Sequence, residues 1–221
     1  VGTCPIQNIG AYGVEVKDTI TLVKGIEIET GKLISFSNED CKFGYRSSIF
    51  KNSQKGKIIV TSVSFKLTKK NHKLNTSYGA IETQLISNKI TNPTLKNISD
   101  AVISIRKSKL PDPKKIGNCG SFFKNPVIPI SQFLELQKQH PTIPNYPVSD
   151  AKIKIPAGWL VEQSGFKGKR FGDAGVHDKQ ALVLVNYGKS SGKEIYALAK
   201  KIQKTVLNKF KISLEIEVNV I

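Results

Sequence analysis

Apolar and polar positions along the chain change period several times, and each change marks a predicted element. From Thr19 the pattern alternates. Ile20 and Leu22, then Ile26 and Ile28, precede Thr30-Gly31, and Leu33 and Ile34 follow, which predicts a β-hairpin. Lys57 to Leu67 reads as a further strand, with Ile59, Val63, Phe65 and Leu67 among its apolar positions. The polar span 69–79 predicts a loop that carries Tyr78 beside Gly79. After Pro93, the residues Leu95, Ile98, Val102 and Ile105 recur at helical spacing, and that helix leads into Arg106 and Lys109.

The second half opens with Phe133, Leu134 and Leu136, a helical stretch that Ser131 is placed to cap and that ends before Pro141. Pro144-Asn145-Tyr146-Pro147 predicts a rigid turn displaying Tyr146, Pro156 to Leu160 a short helix, and 165–175 a basic glycine loop. Ala181 to Val185 is a continuous apolar strand. Ser191 and Glu194 have capping-box spacing, and the helix they start buries Ile195, Leu198, Ala199, Ile202 and Val206 while Lys193, Lys200, Lys201 and Lys204 stay in water. In the last segment Ile212, Leu214, Ile216, Val218 and Val220 face one way and Ser213, Glu215, Glu217 and Asn219 the other, which predicts a strand. Its two carboxylates form either a paired acid/base site or an exposed edge. Mixed runs of strands and helices give an α+β fold class.

Composition narrows the partners. With 39% hydrophobic and 23% charged residues the chain is globular, and no apolar run approaches the length that spans a bilayer. The N-terminus lacks the order of charged, apolar and small residues that makes a signal peptide, so none is expected. Cys4, Cys41 and Cys119 show no Cys-x-x-Cys spacing, which predicts reduced thiols. The net charge is +17, yet only Arg46, Arg106 and Arg170 are arginine. Bidentate base readout needs arginine, and no basic block interleaves with aromatics, so no nucleic-acid partner is expected. A positive field does draw small anions. Gly188 to Glu194 has the outline of a phosphate loop, but its glycines are too close and Glu194 stands where Ser or Thr would hold magnesium. His177 has no ligand-type neighbour beyond Asp178, and no metal is expected.

One stretch concentrates chemistry. Pro111 and Pro113 hold the chain extended, and Gly117 and Gly120 allow a path that side-chained residues resist. Ser121 follows at once, anchored by Phe122 and Phe123, with Lys124 and Asn125 beside it. Such a hydroxyl is either a positioned proton donor or part of an ordinary loop over a buried aromatic pair.

The string Gly120-Ser121-Phe122-Phe123-Lys124-Asn125-Pro126, together with Pro5-Ile6-Gln7-Asn8-Ile9-Gly10-Ala11-Tyr12-Gly13, resembles the UDP-N-acetylenolpyruvoylglucosamine reductases, and the likeness runs through most of the chain. The resemblance implies a bacterial, cytoplasmic flavoenzyme of peptidoglycan precursor synthesis, in which NADPH reduces bound FAD and hydride then passes to UDP-N-acetylglucosamine enolpyruvate, giving UDP-N-acetylmuramate. It implies that Arg46 and Glu217 stabilise the enolate-like charge and that Ser121 protonates the adjacent carbon, so the strand of Glu217 and the loop of Ser121 must meet. Tyr12, Tyr78, Lys109, Asn125, Tyr146, Lys154, Lys167 and Gln180 match substrate-binding positions. Thr3, Cys4, Ile6, Ile9, Gly10 and Ile59 match flavin-contacting ones. The loop of Tyr78 matches the longer subclass, in which a tyrosine closes over the substrate.

The same likeness implies part of a flavin-binding domain, an antiparallel sheet with helices, over residues 1–110. A smaller α+β substrate-binding domain would cover 111–211, and 212–221 would form a strand returning to the flavin domain. The loop gripping the FAD pyrophosphate would precede Val1, and Asn219 departs from the pattern's arginine. A monomer is expected. The rival expectation is a flavin-free module that binds a UDP-sugar.

Overall fold

The computed structural model describes residues 3–221. Its contacts divide the chain into two compact units, Val1–Ile105 and Arg106–Ile221. Every strand pairing among the described residues is antiparallel, and helices alternate with small sheets, so the chain is α+β.

The first unit begins with a two-stranded hairpin, β1 (Gly10–Ala11) and β2 (Val14–Glu15). The alternating stretches then form β3 (Ile20–Glu27), β4 (Leu33–Ser37) and β5 (Ile58–Phe65), with β3 between the other two. Alternation decides which side chains go inside: Ile20 and Val23 are buried with Cys41, Ile49 and Phe50, while Ile59 and Phe65 of β5 stay exposed. Residues 66–80 hold no helix or strand, as their polarity predicts. Two helices follow, α1 (Ile81–Ser87) and α2 (Leu95–Lys109), the latter crossing the division between units. Ile81 and Leu85 pack on Ala101 and Ile105, and Tyr12 from the tip of the first hairpin packs against that cluster.

The second unit holds two sheets on one core. β6 (Gly117–Ser121), β10 (Arg170–Phe171), β11 (Ala174–Val176) and β12 (Val183–Asn186) form one, in the order β10-β11-β12-β6. β7 (Val127–Pro129), β8 (Tyr146–Ser149) and β9 (Lys152–Lys154) form the other, with β9 central. Three helices, α3 (Ile130–Gln139), α4 (Ala157–Gln163) and α5 (Gly192–Phe210), pack on them around Phe123, Leu160, Val161, Val185, Ile202 and Phe210, all nearly inaccessible to solvent.

Four local expectations change. Ser131 does not cap α3: the helix starts at Ile130, two residues earlier than such a cap would set, with Pro129 at the N-cap position, and Ser131 lies inside the first turn. The turn expected at Pro144–Pro147 is in part strand, because Tyr146 and Pro147 pair with β9, an edge pairing that Pro147 tolerates. The glycine loop at 165–175 contains the β10–β11 hairpin. The final segment alternates only through Leu214, with Ile212 and Leu214 buried, Ile216 to Val218 all half-buried and Val220 exposed, and it forms no ladder. Two of its carbonyls are met by side chains: Gln203 Nε2 donates to Leu214 O at 2.6 Å and Gln132 Nε2 to Lys211 O at 3.1 Å. Only Ile216 makes a bridge, with Phe123.

The capping box of α5 is present. Ser191 N and Oγ donate to Glu194 Oε2 at 2.7 and 2.8 Å, and Glu194 N donates back to Ser191 Oγ at 3.3 Å. These bonds, the Ser191 backbone N–H first, hold the Glu194 carboxyl below its ordinary range. The sign follows from that depression. The stabilisation is present above the unfolded-chain value and is lost as pH falls through the folded one. Replacing Ser191→Ala removes the hydroxyl that accepts the Glu194 N–H, and a cap of this kind is expected to contribute about 1 kcal/mol to the unfolding free energy near neutral pH. Urea titrations repeated towards acid should show that difference shrinking; a difference that grows would contradict the capping role.

Candidate functional site

In the second unit the site is built on an irregularity of β6. Ser121 pairs with Val183 and Asn118 with Val185, so three steps on β6 face two on β12. The extra residue makes a bulge, which bends the strand and re-aims the side chain that follows. Gly120 carries it at φ 77°, the left-handed region, and Asn118 Oδ1 accepts the Gly120 N–H at 3.1 Å. Ser121 emerges exposed, while Phe122 and Phe123 turn into the core, edge to face at 5.3 Å between centroids.

The segment after the bulge holds the chain's end. Glu217 N donates to Phe122 O and Lys124 N to Glu215 O, both at 2.9 Å, and the Lys124 ammonium pairs with the Glu215 carboxylate. Ser121 and Glu217 therefore lie on adjoining stretches of backbone. Asn125 Oδ1 accepts the Ala157 N–H at 2.9 Å, one of the unpaired donors in the first turn of α4. Gln180 reaches the same turn. A Cβ at Gly158 would stand 3.4 Å from its Oε1, which also accepts Leu182 N–H at 3.3 Å. Lys154, on the central strand β9, is flanked by Val127 and Tyr146. Directly opposed residues share a face, so Tyr146 and Lys154 are neighbours. Six expected site residues of this unit thus fall on a few connected segments. Lys167 instead pairs with Glu162 at 2.8 Å, and Lys109 ends α2 with its side chain exposed.

In the first unit the hairpin β1–β2 is the frame. Gly10 leaves its backbone bare: a Cβ there would lie 2.8 Å from Glu15 Cγ and 3.4 Å from Arg46 Nη1. Arg46 sits at φ 52° in the turn Gly44–Ser47, and its guanidinium also approaches the Tyr45 ring at 5.5 Å. Tyr12 and Tyr78 meet edge to face at 6.2 Å, and Gly13 lies against Tyr78. Among the expected flavin positions, Thr3, Ile9 and Ile59 are exposed, and Cys4, Ile6 and Gly10 are half-buried. Burial pushes the Cys4 thiol up, and that of Cys41 to about 11, which disfavours the thiolate in both. Asn8, fully buried and bonded three times to two separate segments, carries no signal of its own in the sequence beyond its place in the string Pro5–Gly13.

His177 is a core residue, with Nδ1 accepting Lys179 N–H at 3.3 Å and Nε2 3.3 Å from Asp178. Among the described residues no three His, Cys, Asp or Glu side chains gather as a metal site, and no helix is long and apolar enough to cross a membrane.

By class this is an α+β protein whose second unit sets an exposed hydroxyl on a bulged strand, two carboxamides at the start of α4, and a tyrosine beside a lysine on the neighbouring sheet. Residues 112–221 match the sequence profile described as UDP-N-acetylenolpyruvoylglucosamine reductase, C-terminal domain. The chain is 59% identical over 221 residues to the UDP-N-acetylenolpyruvoylglucosamine reductase of Flavobacterium johnsoniae, covering 100% of this chain and 66% of that protein. It is 51% identical over 218 residues to that of Chromobacterium violaceum, covering 98% of this chain and 64% of that protein. A crystal structure of the enzyme from Thermus caldophilus aligns with a TM-score of 0.63 at 24% identity, over 100% of this chain and 59% of that one, a likeness of fold. The chain belongs to the UDP-N-acetylenolpyruvoylglucosamine reductase family, and it spans about two thirds of the length of these curated relatives.

The bulge gives a direct expectation. No atom lies within 4 Å of a Cβ built on Gly120, so the cost of Gly120→Ala is backbone strain alone. A loss of about 1–2 kcal/mol in chemical denaturation is expected. An unchanged midpoint would mean the bulge survives without glycine.

Proposed function

We propose that this chain is part of an NADPH-dependent, FAD-containing reductase that converts UDP-N-acetylglucosamine enolpyruvate to UDP-N-acetylmuramate. Family membership favours that reading, and the observation that carries it furthest is the bulge at Gly120, which exposes Ser121 beside the backbone of Glu217. In this reading residues 1–110 contribute to flavin binding and 111–211 to substrate binding, and the tail carries Glu217.

The residues fit a flavin. Ile9 and Ile59 are 38% and 56% exposed, large apolar side chains of the kind a flat ring system covers. When bound, FAD supplies the hydride that it has received from NADPH. The side chains of this chain do the rest. Arg46 steadies negative charge as it grows on the enolpyruvyl carboxylate, Glu217 joins it only by donating a hydrogen bond as a neutral acid, and Ser121 Oγ holds the proton for the neighbouring carbon. A serine hydroxyl is a weak acid, so this donation needs an already electron-rich carbon. Lys109, Lys154 and Lys167 are suited to the diphosphate, and Tyr12, Tyr78, Asn125, Tyr146 and Gln180 to the uracil and sugar.

The test is the visible spectrum of the full-length protein. A flavin absorbance that bleaches with NADPH and returns only on adding the UDP-enolpyruvyl sugar is expected. Ser121→Ala should slow the return by roughly 10²–10⁴-fold with the bleaching rate unchanged. A colourless protein that FAD does not reconstitute, yet that binds UDP-sugars, would replace this reading with a flavin-free nucleotide-sugar module.

A further inference from the structure

Arg46 stands where its backbone resists being. Gly44 and Ser47 exchange backbone hydrogen bonds of 3.0 and 3.1 Å, closing a four-residue turn, and Arg46 is the third residue of it at φ 52°. Turns that need a positive φ there ordinarily take glycine or asparagine. A side-chained residue persists in such a conformation only where its surroundings over-determine it. The surroundings are specific. Asn8 is fully buried, its Nδ2 donates to Gly44 O at 3.0 Å and to Glu15 Oε2 at 2.9 Å, and its Oδ1 accepts Lys17 N–H at 3.1 Å. At the far end of the turn Asn52 Nδ2 donates to Ser47 Oγ and Ser48 O, each at 2.8 Å. Ser48 Oγ in turn donates to Ile6 O at 2.5 Å.

One carboxamide therefore joins two things that must keep a fixed separation. Glu15 belongs to the hairpin against which the Arg46 guanidinium lies, near Gly10, and Gly44 opens the turn from which Arg46 projects. We propose that Asn8 is a positioning residue for Arg46, setting the distance between the turn and the hairpin and so aiming the guanidinium. The inference rests on the role given to Arg46 under the proposed function. A leucine of equal size would fill the space but leave Gly44 O, Glu15 Oε2 and Lys17 N–H without these bonds, so it is the polar chemistry of Asn8 that the arrangement uses.

A double-mutant cycle on the full-length, flavin-loaded protein tests this, using NADPH and the UDP-enolpyruvyl sugar. Arg46→Ala is expected to lower kcat by about 10²–10³-fold. Asn8→Ser is expected to lower kcat by roughly ten- to a hundredfold with KM little changed, the result of a misplaced group. The two together should be no slower than Arg46→Ala alone, because Asn8 acts through Arg46. The Arg46 Nε resonance, assigned by its loss in Arg46→Lys, should shift in Asn8→Ser without any substrate present. Multiplying losses, or an unmoved resonance, would overturn the positioning role. Normal turnover by Arg46→Ala would remove the role of Arg46 and this inference together. A slow Arg46→Ala beside an unimpaired Asn8→Ser would remove this inference alone. If Asn8→Ser does not fold, Asn8→Gly enters the same cycle, since glycine accepts the φ of 47° found there.

Discussion

Two backbone hydrogen bonds, Glu217 N–H to Phe122 O and Lys124 N–H to Glu215 O, hold the second unit's chemistry in register. The tail has no ladder of its own, and glutamine side chains from α3 and α5 meet two of its carbonyls. What keeps it in place is burial: Ile212 and Leu214 enter the core that also takes Phe122 and Phe123. Because apolar burial is non-directional, it fixes the depth of the tail but not its register. The two backbone bonds supply the register, and they attach the tail immediately after the bulge that turns Ser121 outward. The placement of Ser121 and that of Glu217 are therefore one constraint and not two.

Backbone conformation repeats the point in the first unit. Asn8, Tyr12 and Arg46 all have positive φ, and all three belong to or adjoin the group built on the β1–β2 hairpin. Residues in that region persist where neighbouring bonds leave no alternative. Here those bonds are the three made by the Asn8 side chain, the mutual bonds of Gly44 and Ser47, and the packing of Tyr12 on the cluster of α1 and α2. Rigidity at this hairpin is thus assembled from short polar contacts, where the second unit relies on a continuous apolar core.

The amino-acid pattern discloses elements whose cause is local. The alternation of Ile20, Leu22 and Ile26 and the Ser191–Glu194 box are written in neighbouring residues, and the structure contains the corresponding strand and helix. Helix α1 was not legible, because seven residues with only Ile81 and Leu85 buried give little period to detect. The tail misled for a different reason. Alternation records which side chains are buried, and a segment tied down by side-chain amides alternates as well as one in a ladder. The bulge could not be read either: it exists because Asn118 and Ser121 pair with residues more than sixty positions later. Asn8 is the sharpest case. Nothing near it in sequence says that Gly44 will be its partner.

Charge raises a final question, how lysines on so basic a chain could serve a ligand. The Lys167–Glu162 pair lies partly in solvent, with the two side chains 35% and 45% exposed. Pairs of that kind contribute little to stability, since water screens them and two long side chains lose freedom to form them. If Lys167 serves the diphosphate as proposed, little is lost when it leaves Glu162, since the diphosphate is an anion of higher charge with more acceptor oxygens. Lys124 differs. Its side chain is only 16% exposed, and its neighbours include the backbone bonds that register the tail. Releasing it would disturb the placement of Glu217. On the proposed reading these two lysine–glutamate pairs divide the work, one available to an anionic ligand and the other kept for structure.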